Sequence, residues 1–85
     1  MPFALITGAS KGIGKAISGN LAERGYNLLL IARSEELLQA AAAEFTTAFR
    51  IKCYYLALDL ATDQAADRVY AWCAENQFPI TVLVN

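Results

Sequence analysis

The chain contains no histidine. Imidazole acid/base catalysis, the commonest nitrogen ligand for metals and any Ser-His-Asp triad are therefore absent from these 85 residues. Cysteine is scarce. Cys53 and Cys73 are too far apart for a C-x-x-C redox or zinc pair, and both sit in apolar patterns that read as buried free thiols. No metal site is expected. An excess of one charge is missing too, with 7 basic against 8 acidic residues and a net charge of −1. Without a single-sign field the chain has no electrostatic hold on nucleic acid or an anionic membrane, and neither is expected as a partner. Long apolar runs are lacking: Leu28-Leu29-Leu30-Ile31-Ala32 is strand-sized, far short of the ~20 residues of a membrane span. The first residues carry no basic stretch followed by an apolar signal core, which makes the cytoplasm the expected location.

What the chain has in abundance is apolar surface. Hydrophobic residues make up 56% and the mean hydropathy is +0.34, whereas ordinary soluble domains run at about 45–50% apolar. A chain this short buries only roughly 60% of its unfolded surface. The composition is that of the interior of something larger.

The most informative stretch is Thr7-Gly8-Ala9-Ser10-Lys11-Gly12-Ile13-Gly14. The residues before it, Phe3 to Thr7, form a short apolar run that reads as a buried parallel strand. A helix starting about Ile13 would aim its free N–H groups and positive dipole end back into the turn, which is the geometry of a phosphate site. The glycines have separate tasks: Gly8 takes the tight exit from the strand, Gly12 lets backbone approach a pyrophosphate, and Gly14 lets the helix pack hard on the sheet.

Further along, Ile13, Ile17 and Leu21, with Ala16 and Ala22 beside them, make one helical stripe that stops at Arg24-Gly25. Asn27 to Ala32 is a second strand. Ser34 is placed to cap a second helix, with Glu35 and Glu36 in its first turn and Leu37, Leu38, Ala41, Phe45 and Phe49 along its apolar side. A third strand spans Ile51 to about Leu58 and ends at Asp59-Leu60. Thr62 is the expected cap of a third helix, with Asp63 near its positive end and Ala66, Val69, Tyr70 and Cys73 facing inward. Phe78-Pro79 closes it, and Ile80 to Val84 is a fourth strand. The order βαβαβαβ implies an α/β fold with a doubly wound parallel sheet of Rossmann type, strand order 3-2-1-4. Strand four would be a bare hydrophobic edge, so residues 1–85 are expected to be part of a single domain with an incomplete sheet.

Thr-Gly-x-x-x-Gly-x-Gly, present in full at Thr7 to Gly14, resembles the cofactor motif of the short-chain dehydrogenase/reductase family. The resemblance covers the whole chain, but only the cofactor half of the family fold. It implies cofactor contacts from Gly8, Ser10, Lys11, Gly12, Ile13 and Gly14. Where NAD-dependent members carry Asp at the end of strand two, this chain has Ala32, followed by Arg33 where many NADP-dependent members carry Arg; Lys11 is similar to their second basic residue. A 2′-phosphate needs cations and no carboxylate, so the expected cofactor is NADP. Ser34 adds a hydroxyl there, although its capping role is sufficient to explain it. Asp59-Leu60 resembles the family's adenine-binding Asp-Val/Leu pair, while an Asp at this turn also serves simply to turn the chain. Leu83-Val84-Asn85 resembles the opening of the family's Asn-Asn-Ala-Gly segment, which brings Asn85 to the cofactor.

The family's catalysis relies on a Tyr-x-x-x-Lys turn, and none of Tyr26, Tyr54, Tyr55 or Tyr70 has Lys four residues on. The expectation is thus the N-terminal, NADP(H)-binding portion of an oxidoreductase acting on a carbonyl/alcohol substrate. No catalytic residue is assigned here, the segment alone is expected to be inactive, and the complete protein is expected to be a homo-oligomer. Two alternatives stand beside this reading. One is a non-catalytic NADP-binding sensor on the same fold. The other is a hydrolase in which Gly8-Ala9-Ser10-Lys11-Gly12, a G-x-S-x-G match, presents Ser10 as nucleophile.

Overall fold

The computed structural model describes residues 2–85, as a βαβαβαβ chain. Strands β1 (Phe3–Thr7), β2 (Asn27–Ala32), β3 (Cys53–Ala57) and β4 (Ile80–Val84) alternate with helices α1 (Gly12–Glu23), α2 (Glu35–Phe49) and α3 (Ala65–Asn76). All pairings are parallel and the order is β3-β2-β1-β4, as expected from the alternation of elements. The chain steps outward from β1 through β2 to β3, then crosses back to pair β4 with the other side of β1. With crossovers of one hand, that reversal puts α1 and α2 on one face of the sheet and α3 on the other.

Side chains alternate between the faces because successive strand residues point opposite ways. Ala4, Ile6, Leu28 and Leu30 pack with Ala22, Leu38, Ala41 and Phe45 from α1 and α2. Phe3, Leu5, Leu29 and Ile31 meet Val69, Trp72, Cys73 and Phe78. Every residue of β2 is buried, as befits an inner strand covered on both sides. Near the amino end of β1, Phe78 gathers Phe3, Tyr54 and Trp72 around it, with ring centroids 5.3, 5.1 and 5.3 Å away.

Several expected details are corrected. On α1 the buried positions are Ser18 and Ala22, and Ile13 is 80% exposed. The inward line runs through Gly14, Ser18 and Ala22, four residues apart, because small side chains let the helix lie close to the sheet; the hydrophobic stripe runs one position away from it. On α2, Leu38, Ala41, Ala42 and Phe45 are buried while Leu37 and Phe49 are exposed. On α3, Ala65 is buried, whereas Ala66 and Tyr70 face solvent and Trp72 joins the inner side. Thr62 does not cap α3: the Thr62 hydroxyl donates to the Asp59 carbonyl at 2.9 Å, closing the turn after β3, and the helix begins later, after Gln64. Strand three is shorter than expected at both ends. Ile51 is nevertheless buried, and the Leu58 amide still donates to the Ala32 carbonyl at 2.8 Å.

The Ser34 cap is present, its hydroxyl accepting from the Leu37 amide at 3.3 Å. α2 and α3 end on Arg50 and Gln77 in the left-handed region, φ 54° and 56°, with no glycine at either place. Replacing Arg50 with Gly removes the Cβ penalty and should stabilise the protein by about 0.5–1 kcal/mol, read as a rise in thermal midpoint; an unchanged or lowered midpoint would count against strain there. Buried Asn27 ties three strand beginnings together. Its Oδ1 accepts from the Lys52 amide at 2.9 Å, and its own amide donates to the Pro2 carbonyl at 2.9 Å. Asn27→Leu leaves the Lys52 amide unpaired and should cost about 1–3 kcal/mol in urea unfolding. A loss below about 0.5 kcal/mol would mean that water replaces the bond at no cost.

Candidate functional site

The carboxyl ends of the parallel strands converge where the order reverses, between β1 and β4. The chain leaves β1 through Gly8, φ 64°, and reaches α1 through Gly12, φ 62°. Both conformations strongly favour glycine, and no atom lies within 4 Å of a Cβ built at either position. Backbone torsion, not crowding, selects glycine here, and the space beside the loop is open to a ligand. Gly14 is glycine for the opposite reason. A Cβ there would overlap the Gly8 carbonyl oxygen and stand 2.7 Å from its carbon, so the helix start and the strand exit touch backbone to backbone. Buried Ala9 holds the loop to the next strand, its amide donating to the Ile31 carbonyl at 3.3 Å.

Lys11 sits extended at the N-cap of α1, and no side chain caps the helix. The Lys15 amide donates to the Lys11 carbonyl at 3.4 Å, so the amides of Gly12, Ile13 and Gly14 precede the first helical bond. They and the helix dipole form a positive end suited to phosphate.

A cleft of about 350 Å³ opens beside this loop. Gly8, Ser10 and Lys11 border it from the loop, Ala32, Arg33, Ser34 and Leu37 from the end of β2 and the start of α2, and Leu58, Asp59 and Leu60 from the end of β3. Lys11 and Arg33 are both exposed, and the ion pair found among the described residues is a different one, Lys15 Nζ to Glu44 Oε1 at 3.4 Å between α1 and α2. Neither loop cation is thus neutralised by a carboxylate. Asp59 Oδ1 accepts from the Ala61 amide at 2.9 Å, so the turning role is real and Oδ2 is the oxygen left for a ligand.

Seven of the expected residues therefore share one cleft: Gly8, Ser10, Lys11, Arg33, Ser34, Asp59 and Leu60. Gly12, Ile13 and Gly14 do not line it; they form the helix start, and Ile13, pointing into solvent, contributes only its amide. Asn85 lies elsewhere, in a second, mostly apolar cleft of about 430 Å³ between α3 and β4, with Leu60 bordering both. The Thr7 hydroxyl donates to Asn85 Oδ1 at 3.3 Å, which ties the ends of β1 and β4 together. Leu37 was expected in the core, and its place in the first cleft has no signal in the helical periodicity. The cysteines lie away from the loop cleft. Burial pushes the Cys53 thiol up to about 12 and raises that of Cys73, so neither is a ready thiolate. Among the described residues no cluster of potential metal ligands occurs, and no helix is long and apolar enough to cross a membrane.

A parallel sheet whose first strand runs through a glycine turn into an uncapped helix start, with a cation-bordered cleft beside it, defines a doubly wound nucleotide-binding domain. The comparisons narrow this class. The chain belongs to the short chain dehydrogenase family, matching it over residues 2–85. It is 41% identical over 85 residues to a very-long-chain 3-oxoacyl-CoA reductase of Candida glabrata, covering 98% of this chain and 24% of that protein's length. The alcohol dehydrogenase of the archaeon Thermococcus sibiricus, solved with 5-hydroxy-NADP, is 35% identical with a TM-score of 0.91, over 98% of this chain and 35% of the other. L-Sorbose reductase of Gluconobacter frateurii, solved with NADPH and L-sorbose, is 33% identical with a TM-score of 0.92, over 99% of this chain and 32% of the other. The chain thus spans about a quarter of the curated relative and a third of the solved structures.

Because the Gly14 contact is with backbone, which cannot rotate away, Gly14→Ala should destabilise the protein by about 2–3 kcal/mol or more in urea unfolding. A loss under about 0.5 kcal/mol would show that the loop yields freely.

Proposed function

We propose that this chain is the NADP(H)-binding portion of an oxidoreductase that moves a hydride between NADP(H) and a carbonyl/alcohol pair. The observation that carries the reading is the meeting of Arg33 and Lys11 in one cleft with Ala32, where no carboxylate stands to repel a 2′-phosphate. Support comes from the family membership and from relatives solved with NADPH or an NADP derivative.

In this reading each group has a physical task. The amides of Gly12, Ile13 and Gly14 receive the pyrophosphate, whose approach the bare Gly8 and Gly12 allow. Arg33 and Lys11 hold the 2′-phosphate; a planar guanidinium does so with paired hydrogen bonds, an ammonium as a point charge. Ser34 is committed to the helix cap and offers at most its hydroxyl proton. Asp59 Oδ2 accepts from the adenine amino group, and Asn85, tied to Thr7, marks the floor on the β4 side. The cofactor supplies the hydride chemistry, and the protein supplies binding and orientation.

No tyrosine here is followed by Lys at the fourth position, so in this reading none of these residues is assigned the proton transfer.

Arg33→Asp in the intact protein should lower the ratio of kcat/KM for NADPH over NADH by on the order of 100-fold, about 2.7 kcal/mol, through loss of a charge-assisted contact and added repulsion. Steady-state kinetics with both cofactors is the check, and an unchanged ratio would remove the phosphate role of Arg33.

A further inference from the structure

Leu37 is exposed where a core residue was due. It follows the Ser34 cap in the first turn of α2, yet it is 45% exposed while its neighbour Leu38 is fully buried. The hydrogen bond that the Leu37 backbone N–H donates to Ser34 Oγ at 3.3 Å fixes where the side chain starts, and that place is the border of the loop cleft beside Arg33. Leu60, from the end of β3, borders the same cleft and is 43% exposed. Neither leucine belongs to the packed clusters on the two faces of the sheet. Two large apolar side chains from separate elements therefore leave surface in one cleft whose other borders are cations, glycine and polar groups. Covering that surface with an apolar plane is favourable, and phosphate or sugar hydroxyls cannot supply one.

We propose that Leu37 is a nucleotide-binding residue, an apolar wall that packs on the flat base and ribose of the cofactor while Arg33 holds the phosphate. The proposal rests on the NADP reading of this cleft, and the experiment separates the two. Dissociation constants for NADPH and NADH are measured by nucleotide fluorescence on the intact protein and on Leu37→Ser, Leu37→Met and Arg33→Asp, together with melting of each protein without nucleotide. A wall that touches base and ribose is blind to the 2′-phosphate, so Leu37→Ser should weaken both nucleotides by about 5–10-fold. Leu37→Met, still apolar, should retain both affinities, and the ligand-free melting temperature of Leu37→Ser should stay within about 2 °C because the side chain is outside the core. Arg33→Asp should weaken NADPH alone. Affinities for both nucleotides within twofold of wild type in Leu37→Ser would overturn the proposal, as would a lowered melting temperature with unchanged affinities, which would assign Leu37 to packing. If Leu37→Ser weakens both nucleotides while Arg33→Asp leaves NADPH unaffected, the wall stands and the phosphate assignment falls.

Discussion

The contact between the backbone at Gly14 and the Gly8 carbonyl is the constraint on which the rest of the site depends. It holds the first turn of α1 against the exit of β1 at a distance no side chain permits. The helix amides and the loop they face are thereby set before any ligand arrives, and little reorganisation is left for binding. Ser18 continues the same line, its hydroxyl donating to the Gly14 carbonyl at 2.8 Å, and Ala22 completes it. A helix whose inner edge is Gly, Ser and Ala sits close to the sheet, and that closeness puts its positive end beside the strand termini.

The two faces of the sheet do different work. α1 and α2 seal one face with a buried cluster built on Ile6, Leu28, Leu30, Leu38 and Phe45, and both begin at the loop cleft. α3 covers the other face less fully: Val69, Trp72 and Cys73 are only half-buried, and β4 leaves Ile80 and Leu83 exposed. Burial is therefore densest where α1 and α2 pack on β1 and β2, and unpartnered apolar surface lies along α3 and β4. The relatives are three to four times as long as the matched region.

Much of the fold was legible in the residues taken in order. Strand runs such as Leu28–Ala32 have the continuous apolar character of a doubly covered parallel strand, and Ser34 followed by two glutamates is a local helix start that needs no tertiary help. The glycine turn was legible too, because Gly8 and Gly12 answer to backbone torsions and torsions are a local property. Failures came where the deciding quantity was size or competition. Ile13, Ile17 and Leu21 have the right spacing for an inner stripe, but the closest approach of α1 to the sheet is taken by the small residues Gly14, Ser18 and Ala22, leaving Leu21 at the edge of the core and Ile13 in solvent. Thr62 has the right side chain for a cap, but the Asp59 carbonyl takes its hydroxyl first.

What the sequence by itself determined is the order of elements, the glycine turn, the missing carboxylate at Ala32 and the cations at Lys11 and Arg33, since each follows from residue type and local chain geometry. Only the tertiary structure decided which of these residues share a cleft. Lys11, Arg33, Asp59 and Leu60 meet because β1, β2 and β3 lie side by side with parallel ends, while Asn85 is carried to the α3 side on β4. It also decided that Leu37 faces that cleft and not the core. A helix has one buried side, and the sheet it packs on, not its own periodicity, selects which.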